Sequence, residues 1–241
     1  MNPRTLIAGG LLACAPFAHA IDLNEAFSLE AKVGLFSDYR TRGISQTQND
    51  PALQGSLTLL HSSGLYAGVW SSNVDFGFDS RTRQEQDYYA GYFWQINDDV
   101  TLDTSYIHYV YPRQSALNYG EYHAELRAWG VLLGGNYSGD FNRDQSMLYS
   151  YVGYGTPLPY DTGLQVRYGR NDYKDPSWFS SDGGSRSAYH EWEVKLSRTM
   201  LALDWSLSYI DTDLSQAECA SYLGFEDICS AAVVASVSKT F

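Results

Sequence analysis

Charged side chains recur at every second position in several stretches of the sequence. These stretches are Glu30 and Lys32; Glu121, His123, Glu125 and Arg127; and Glu191, Glu193 and Lys195. Two carboxylates held side by side can serve as a general acid and base, as in glycoside hydrolysis. A two-residue period is also what one face of a β-strand produces, because successive side chains of a strand point to opposite faces. Alternation therefore already explains why Glu191 and Glu193 form a pair.

The enzyme motifs to which such residues belong are incomplete here. His190 and Glu191 begin the H-E-x-x-H pattern of a zinc-binding helix, but Val194 occupies the place of the second histidine. The sequence contains no G-x-S-x-G nucleophile elbow. Gly153-Tyr154-Gly155 lacks the rest of a nucleotide-binding loop. We therefore expect a protein that is not an enzyme, with no catalytic residues, no metal ligands and no cofactor.

Alternation of apolar and polar residues extends over most of the chain after residue 27. It is most regular from Leu201 to Tyr209, and it continues to a final segment, Ala231 to Phe241, that ends on an aromatic residue. This period predicts β-strands. The twelve predicted strands are about 27–40, 52–61, 65–75, 87–96, 100–111, 121–128, 131–141, 146–157, 164–173, 187–198, 201–209 and 231–241.

The connections between these strands are alternately long and short, with 142–145 as a short exception among the long ones. Most strands are close to the roughly 9–11 residues that a tilted membrane strand requires. An even strand number with long loops at one end is typical of outer-membrane barrels. A secreted β-sandwich alternates too, but it does not predict this loop asymmetry together with a terminal Phe241. The predicted fold is all-β: a closed antiparallel transmembrane β-barrel of about twelve strands over residues 21–241, with both termini in the periplasm.

The first twenty residues predict a secretory signal peptide. Arg4 supplies the positive charge, Leu6 to Phe17 is mostly apolar, and Ala18-His19-Ala20 matches a cleavage site. A lipoprotein site at Cys14 is the alternative, but Leu12 fits it poorly. With the barrel pattern, the signal predicts a bacterial outer-membrane location.

The amino-acid composition restricts the classes of molecule that this protein can bind. The chain has 16 Lys and Arg against 28 Asp and Glu, a net charge of −12, which argues against nucleic acid. The 20 Tyr, 10 Phe and 6 Trp fit aromatic girdles at the two membrane interfaces. We expect contacts with outer-membrane lipid and lipopolysaccharide, small solutes as ligands, and recognition of Phe241 by the barrel insertion machinery.

Two cysteines remain after the predicted signal. Cys219 and Cys229 lie close together in a chain bound for an oxidising compartment, which predicts a disulfide. Their spacing does not match the common metal or redox motifs.

A family resemblance is carried by three stretches. They are Ser37-Asp38-Tyr39-Arg40-Thr41-Arg42-Gly43-Ile44-Ser45-Gln46-Thr47, Pro51-Ala52-Leu53-Gln54-Gly55, and Ser63-Gly64-Leu65-Tyr66-Ala67-Gly68-Val69-Trp70-Ser71-Ser72-Asn73-Val74-Asp75-Phe76. With Asp211-Thr212-Asp213-Leu214 and the ending Ser236-Val237-Ser238-Lys239-Thr240-Phe241, they resemble the TorF-type porins of proteobacterial outer membranes. The resemblance implies a barrel with a pore role, and it supplies neither a substrate nor catalytic residues.

In a barrel, the polar strand faces line the lumen. The predicted pore-lining residues are Glu30, Lys32, Arg40, Arg42, Asp103, Glu121, His123, Glu125, Arg127, Arg167, Glu191, Glu193, Lys195 and Asp204. Facing charges can sort solutes by charge; the alternative is that they pair into a network that plugs the barrel. Arg40, Arg42 and Asp38 cluster near the outer end of the first predicted strand. They predict a constriction or an entry site for anionic solutes, or alternatively a structural ion cluster or a contact with lipopolysaccharide phosphates.

The predicted function is a porin-like channel for passive diffusion of small polar or charged solutes. The alternative is a plugged structural or adhesive barrel that acts through its extracellular loops. Trp178 and Phe179 lie in a long loop and are interpreted either as an aromatic track for a sugar or as loop packing.

Overall fold

The computed structural model describes residues 20–77, 80–141 and 144–241, so the predicted signal peptide lies outside the described residues apart from Ala20. Twelve long strands, β1 to β12, make the main sheet. In chain order they are Phe27–Phe36, Ala52–His61, Leu65–Asn73, Gln84–Gln95, Val100–Val110, Tyr119–Ala128, Val131–Phe141, Gln145–Leu158, Thr162–Tyr173, Ala188–Met200, Leu203–Thr212 and Ala232–Thr240.

The sheet closes on itself. Each strand pairs antiparallel with the next, and β12 pairs antiparallel with β1. This seam joins Lys32–Phe36 to Ser236–Thr240. Backbone hydrogen bonds between Ala31 and Phe241 extend the seam to the last residue. The predicted closed twelve-stranded antiparallel barrel is confirmed.

The connections differ between the two ends of the barrel. At the short-turn end, the turns are 62–64, 96–99, 129–130, 159–161 and 201–202. In one of the two-residue turns, Trp129 and Gly130 have φ of 51° and 85°, the left-handed backbone that such hairpin turns require. At the long-loop end, the connections are 37–51, 74–83, 111–118, 142–144, 174–187 and 213–231.

The two faces of the wall have opposite character. Apolar side chains point outward, as Leu35, Leu53 and Leu133 do with more than half of their surface exposed. Polar side chains point inward, where hydroxyls and carboxylates bond across the strands. No helix among the described residues is long and apolar enough to cross a membrane.

A cap covers the long-loop end. It consists of the hairpin Trp178–Phe179 and Ser185–Arg186, helix α1 (Gln216–Leu223), and the segment that a Cys219–Cys229 disulfide ties to α1. Ser215 and Glu218 form a capping box at the start of α1, and Gly224 ends the helix with a φ of 82°. The predicted disulfide is confirmed.

The first strand is shorter than predicted. The expected strand runs to residue 40, whereas β1 ends at Phe36. The chain turns because the carboxylate of Asp38 accepts hydrogen bonds from the hydroxyls of Ser45 and Thr47. Residues 37–51, the inner loop, therefore fold toward the barrel axis around a small hairpin, Arg40–Thr41 with Ile44–Ser45.

Candidate functional site: the barrel interior

The centre of the interior is an ion pair between the inner loop and the opposite wall. Nη2 of Arg42 lies 2.7 Å from both carboxylate oxygens of Glu121 on β6. Tyr109 and Asn136 each donate a further hydrogen bond of 3.1 Å to Glu121. The Glu121 side chain is fully buried and that of Arg42 is 10% exposed, so this pair closes that part of the lumen.

The inner loop is anchored on the far side of the lumen as well. The hydroxyl of Tyr189 on β10 donates a 2.9 Å hydrogen bond to the carbonyl of Arg42. At Gly43, where φ is +84°, a Cβ would lie 2.4 Å from the methyl carbon of Thr212 on β11. The inner loop therefore crosses the lumen from β6 to β10 and β11. Only glycine fits at position 43, because any side chain there would overlap Thr212.

A second network links β8, β9 and β10. Arg167 binds Glu191 and Glu193, with N–O distances of 3.1 Å to each. Tyr149 donates a short hydrogen bond to Glu191, and its ring lies under the guanidinium of Arg42. Since Tyr149 contacts both groups, the two networks form one continuous structure.

The same pattern recurs nearer the short-turn end. Tyr151 donates a 2.6 Å hydrogen bond to Glu125, whose other oxygen lies 2.5 Å from Nε of Arg127. Arg167 lies over the ring of Tyr151 at 6.0 Å. Arg42, Arg127 and Arg167 are thus each bound to a carboxylate, and Arg42 and Arg167 also lie over tyrosine rings.

The wall of β3 to β5 is acidic and carries no such arginine. Tyr66 donates a 2.7 Å hydrogen bond to Asp103, and Tyr39 donates one of 3.1 Å to Glu85. Glu85 and Asp87 are buried, and one oxygen of Asp87 has no hydrogen-bond partner among the described residues.

Most of the predicted lumen residues point inward. Glu30, Lys32, Asp103, His123, Lys195 and Asp204 lie on inward faces beside residues that bond across the interior, as His123 does with Asn136 at 3.3 Å. The exception is Arg40, which binds Asp38 at 2.6 Å and the carbonyls of Gly43 and Ser230. Its side chain is 2% exposed, so the prediction that Arg40 lines the pore is wrong and the alternative of a structural ion cluster is correct.

The sequence prediction omitted several interior residues. Glu85 was omitted because β4 was expected to begin at residue 87, although extending the alternation back from Tyr88 would have placed both Glu85 and Asp87 on the inner face. The inward tyrosines were also omitted, because aromatic residues were assigned to the membrane girdles. Those that bond to interior carboxylates are Tyr39, Tyr66, Tyr109, Tyr149 and Tyr151.

Trp178 packs inside the cap. It is fully buried against Tyr173, Tyr189 and Tyr222, so it forms no accessible track for a sugar. Phe179 is half exposed.

Arg186 holds the cap electrostatically. It binds Glu218 on α1 at 2.7 Å and Asp213 at 3.0 Å. Partial burial acts to raise the pKa of both carboxyls, but hydrogen bonds have the larger effect and lower each pKa. Ser215 and Arg186 donate to Glu218, and His190 and Arg186 donate to Asp213. His190 also lies 3.1 Å from Asp213. Among the described residues, no three His, Cys, Asp or Glu side chains come together in a way that could hold a metal ion.

A family profile matches almost the whole chain after residue 21. Residues 22–241 match the profile of a bacterial protein family of unknown function, Gcw_chp. The chain belongs to this family. The match supports neither the TorF name nor any other functional name for the family, and no curated protein matches the sequence.

Solved porin structures share the fold. The KdgM porin is 12% identical with a TM-score of 0.50, and the match covers 88% of this chain and 98% of that chain. The NanC porin is 13% identical with a TM-score of 0.51 and the same coverage. At these identities the likeness establishes the porin barrel fold and nothing about the solute.

Proposed function

We propose that this protein is an outer-membrane channel through which small polar solutes diffuse passively. The observation that carries the proposal is the solvent-accessible, charged interior of a closed barrel. At the level of Arg127 and Arg167, these side chains keep 32% and 28% of their surface exposed. The porin fold of the KdgM and NanC structures supports the same function.

The difference between the two ends of the barrel supports one orientation in the membrane. Porin-type barrels place long loops outside the cell and short turns in the periplasm. We therefore assign the cap to the cell exterior and both termini to the periplasm, with lipid and lipopolysaccharide around the apolar wall and Phe241 available to the insertion machinery. The inner loop then forms the constriction below the cap.

A second candidate function is a plugged barrel that acts through its loops. The fully buried Arg42–Glu121 pair and the buried aromatic cap favour it, because both fill space that a wide pore leaves open. In this alternative, the cap would bind a partner at the cell surface.

Single-channel conductance of the refolded protein in a planar bilayer separates the two functions. We expect small discrete steps in wild-type protein, and larger steps in Arg42→Ser, because this substitution removes the side chain that crosses the lumen. A correctly folded barrel that shows no steps in either form would exclude the channel and favour the loop-based function.

A further inference from the structure

Two carboxylates lie close together on the acidic side of the barrel interior. Glu85 and Asp87 take successive inward positions on β4, which sets their Cα atoms about 7 Å apart. Glu85 is 2% exposed and accepts a hydrogen bond from Tyr39 of the inner loop. Asp87 is 8% exposed, and in residues 20–77, 80–141 and 144–241 its Oδ1 atom is buried without a hydrogen-bond partner. A buried carboxylate in this state requires a counter-charge or a proton.

The basic side chains around β4 are directed elsewhere. The neighbouring strand β3 contains no charged residue, and β5 contributes only Asp103 and His108. Arg83 precedes β4, but its side chain is 59% exposed. Arg42 enters the lumen with the inner loop, but its guanidinium is bound to Glu121. The side chains that the structure describes therefore provide Asp87 with no cationic partner.

Aromatic side chains flank Asp87 on both neighbouring strands. In the strand register, its direct partners are Trp70 on β3 and Tyr109 on β5. Trp70 also contacts Tyr39, with ring centroids 5.4 Å apart, so the inner loop covers this part of the wall. Aromatic rings attract cations through their π faces, and these surroundings therefore favour a cation. Because only 8% of Asp87 is exposed, the space beside it suits a compact group.

We propose that Glu85 and Asp87 bind a compact monovalent cation, either the ammonium group of a small solute or an alkali metal ion. A cation between two carboxylates is attracted to both and offsets their mutual repulsion. An ammonium group offers three N–H donors to the carboxylate oxygens. Calcium requires six to eight oxygen ligands, and the described part of the chain brings no third carboxylate, histidine or cysteine to a metal site.

As a solute site, the pair rests on the proposed channel function. It lies beside the inner loop, because Tyr39 of that loop contacts both Glu85 and Trp70. A solute that passes the constriction therefore passes this carboxylate pair. The site gives the channel a preference for cations.

The first test measures cation binding without requiring conduction. The readout is the midpoint of thermal unfolding of the refolded protein in detergent, in methylammonium, potassium or tetramethylammonium chloride at equal ionic strength. Tetramethylammonium is the reference, because it is bulky and has no N–H donor. We expect methylammonium to raise the midpoint by about 3 °C relative to this reference.

The potassium arm separates the two sources of the cation. A rise in methylammonium alone assigns the site to the ammonium group of a solute. An equal rise in potassium assigns it to alkali metal ions as well. Equal midpoints in all three salts would overturn the site and would mean that Asp87 keeps a proton instead.

Isosteric variants locate the effect. Glu85→Gln and Asp87→Asn each remove one charge at nearly constant shape, and Glu85→Gln keeps an oxygen that can accept the hydrogen bond from Tyr39. Each variant should lose most of the methylammonium shift. Asp175→Asn removes the same charge from an exposed loop residue and should keep the full shift. A wild-type shift in the double variant Glu85→Gln, Asp87→Asn would overturn the site, and heat-dependent gel migration shows that each variant is folded.

The second test measures ion preference in a planar bilayer under a potassium chloride gradient. We expect the potassium-to-chloride permeability ratio to fall at least about threefold in the double variant, because two negative charges leave the wall of a narrow lumen. An unchanged ratio together with equal midpoints refutes the site but leaves the channel. A methylammonium shift in a barrel without any conductance supports the site and refutes the channel.

Discussion

The two halves of the barrel interior use the same residue types in different ways. Near the cap, Arg42 and Glu121 are 10% and 0% exposed, and Glu121 accepts hydrogen bonds from Arg42, Tyr109 and Asn136. Near the short turns, Arg127 and Glu125 are 32% and 13% exposed. An ion pair in the first half fills the lumen, whereas one in the second half lines it. Both pairs consist of an arginine and a glutamate. Their burial, and not their residue types, therefore determines whether an ion pair fills the lumen or lines it.

The largest expected effect comes from breaking the buried pair. Arg42→Met leaves Glu121 buried without its cation, which should cost about 3–5 kcal/mol of unfolding free energy. Arg127→Met removes a partner that is partly exposed to solvent, and it should cost less, about 1 kcal/mol. Urea unfolding of the refolded barrel, followed by tryptophan fluorescence, gives both values.

The double variant Arg42→Met, Glu121→Gln controls this comparison. It removes the stranded charge and should recover part of the stability that Arg42→Met loses. Similar losses for Arg42→Met and Arg127→Met would contradict the contrast between the two halves.

The disulfide is expected to have the next largest effect, and only on the capped half. Replacing Cys219 and Cys229 with serine should lower stability by about 2–3 kcal/mol, because the bond closes a short loop of the unfolded chain. Hydrogen exchange should show faster opening of α1, with little change in β5 to β7 at the short-turn end. Labelling of Cys219 or Cys229 by a thiol reagent in unreduced protein would show that the bond is absent.

A matched pair of glycines tests how tightly the inner loop is seated. Gly43→Ala should cost about 2 kcal/mol, because φ is +84° and the new Cβ meets Thr212 at 2.4 Å. Gly183→Ala in the cap hairpin has nearly the same φ, +86°, but meets nothing within 4 Å, so about 1 kcal/mol is expected. Thermal unfolding of both variants gives the difference, and equal losses would mean that the loop is not packed against β11.

The smallest effect is a pH dependence confined to the cap. The folded-state pKa values of Asp213 and Glu218 are lowered, so their contribution is present above the unfolded values of about 4 and is lost as the pH falls through the folded values. Solvent screens these groups, which keeps the effect small. Exchange rates of α1 should therefore rise between about pH 5 and pH 3.

Arg186→Gln is the control for this prediction. It removes the shared cation of Asp213 and Glu218, so exchange in α1 should be fast already at pH 7 and should depend less on pH. A wild-type cap with the same exchange rates at pH 3 and pH 7, after correction for the chemical rate, would refute the electrostatic role of Arg186.

The wall of the barrel could be predicted from sequence because it depends on local alternation. Trp205, Leu207 and Tyr209 share the outer face as their spacing requires, and the closeness of the two cysteines also predicted their disulfide. The inner loop could not be predicted, since Arg42 meets a carboxylate 79 residues away. Arg40 and Arg42 have similar sequence surroundings and lie two residues apart. The turn at Asp38 places Arg40 at the base of the inner loop and Arg42 in the lumen.

The seam between β1 and β12 has a consequence for how the barrel opens. Five residue pairs join these two strands, whereas ten join β1 to β2. Because β1 leaves the wall at Phe36, the outer part of β12 borders a recess of about 420 Å³, lined by Asp38, Asn49 and Val233 among others, instead of a paired strand. The fewest backbone hydrogen bonds therefore resist a lateral force on the wall at the seam between β1 and β12. The barrel should therefore unzip from the seam, starting at the cap side, and its mechanical strength is set by the shortest pair of neighbouring strands.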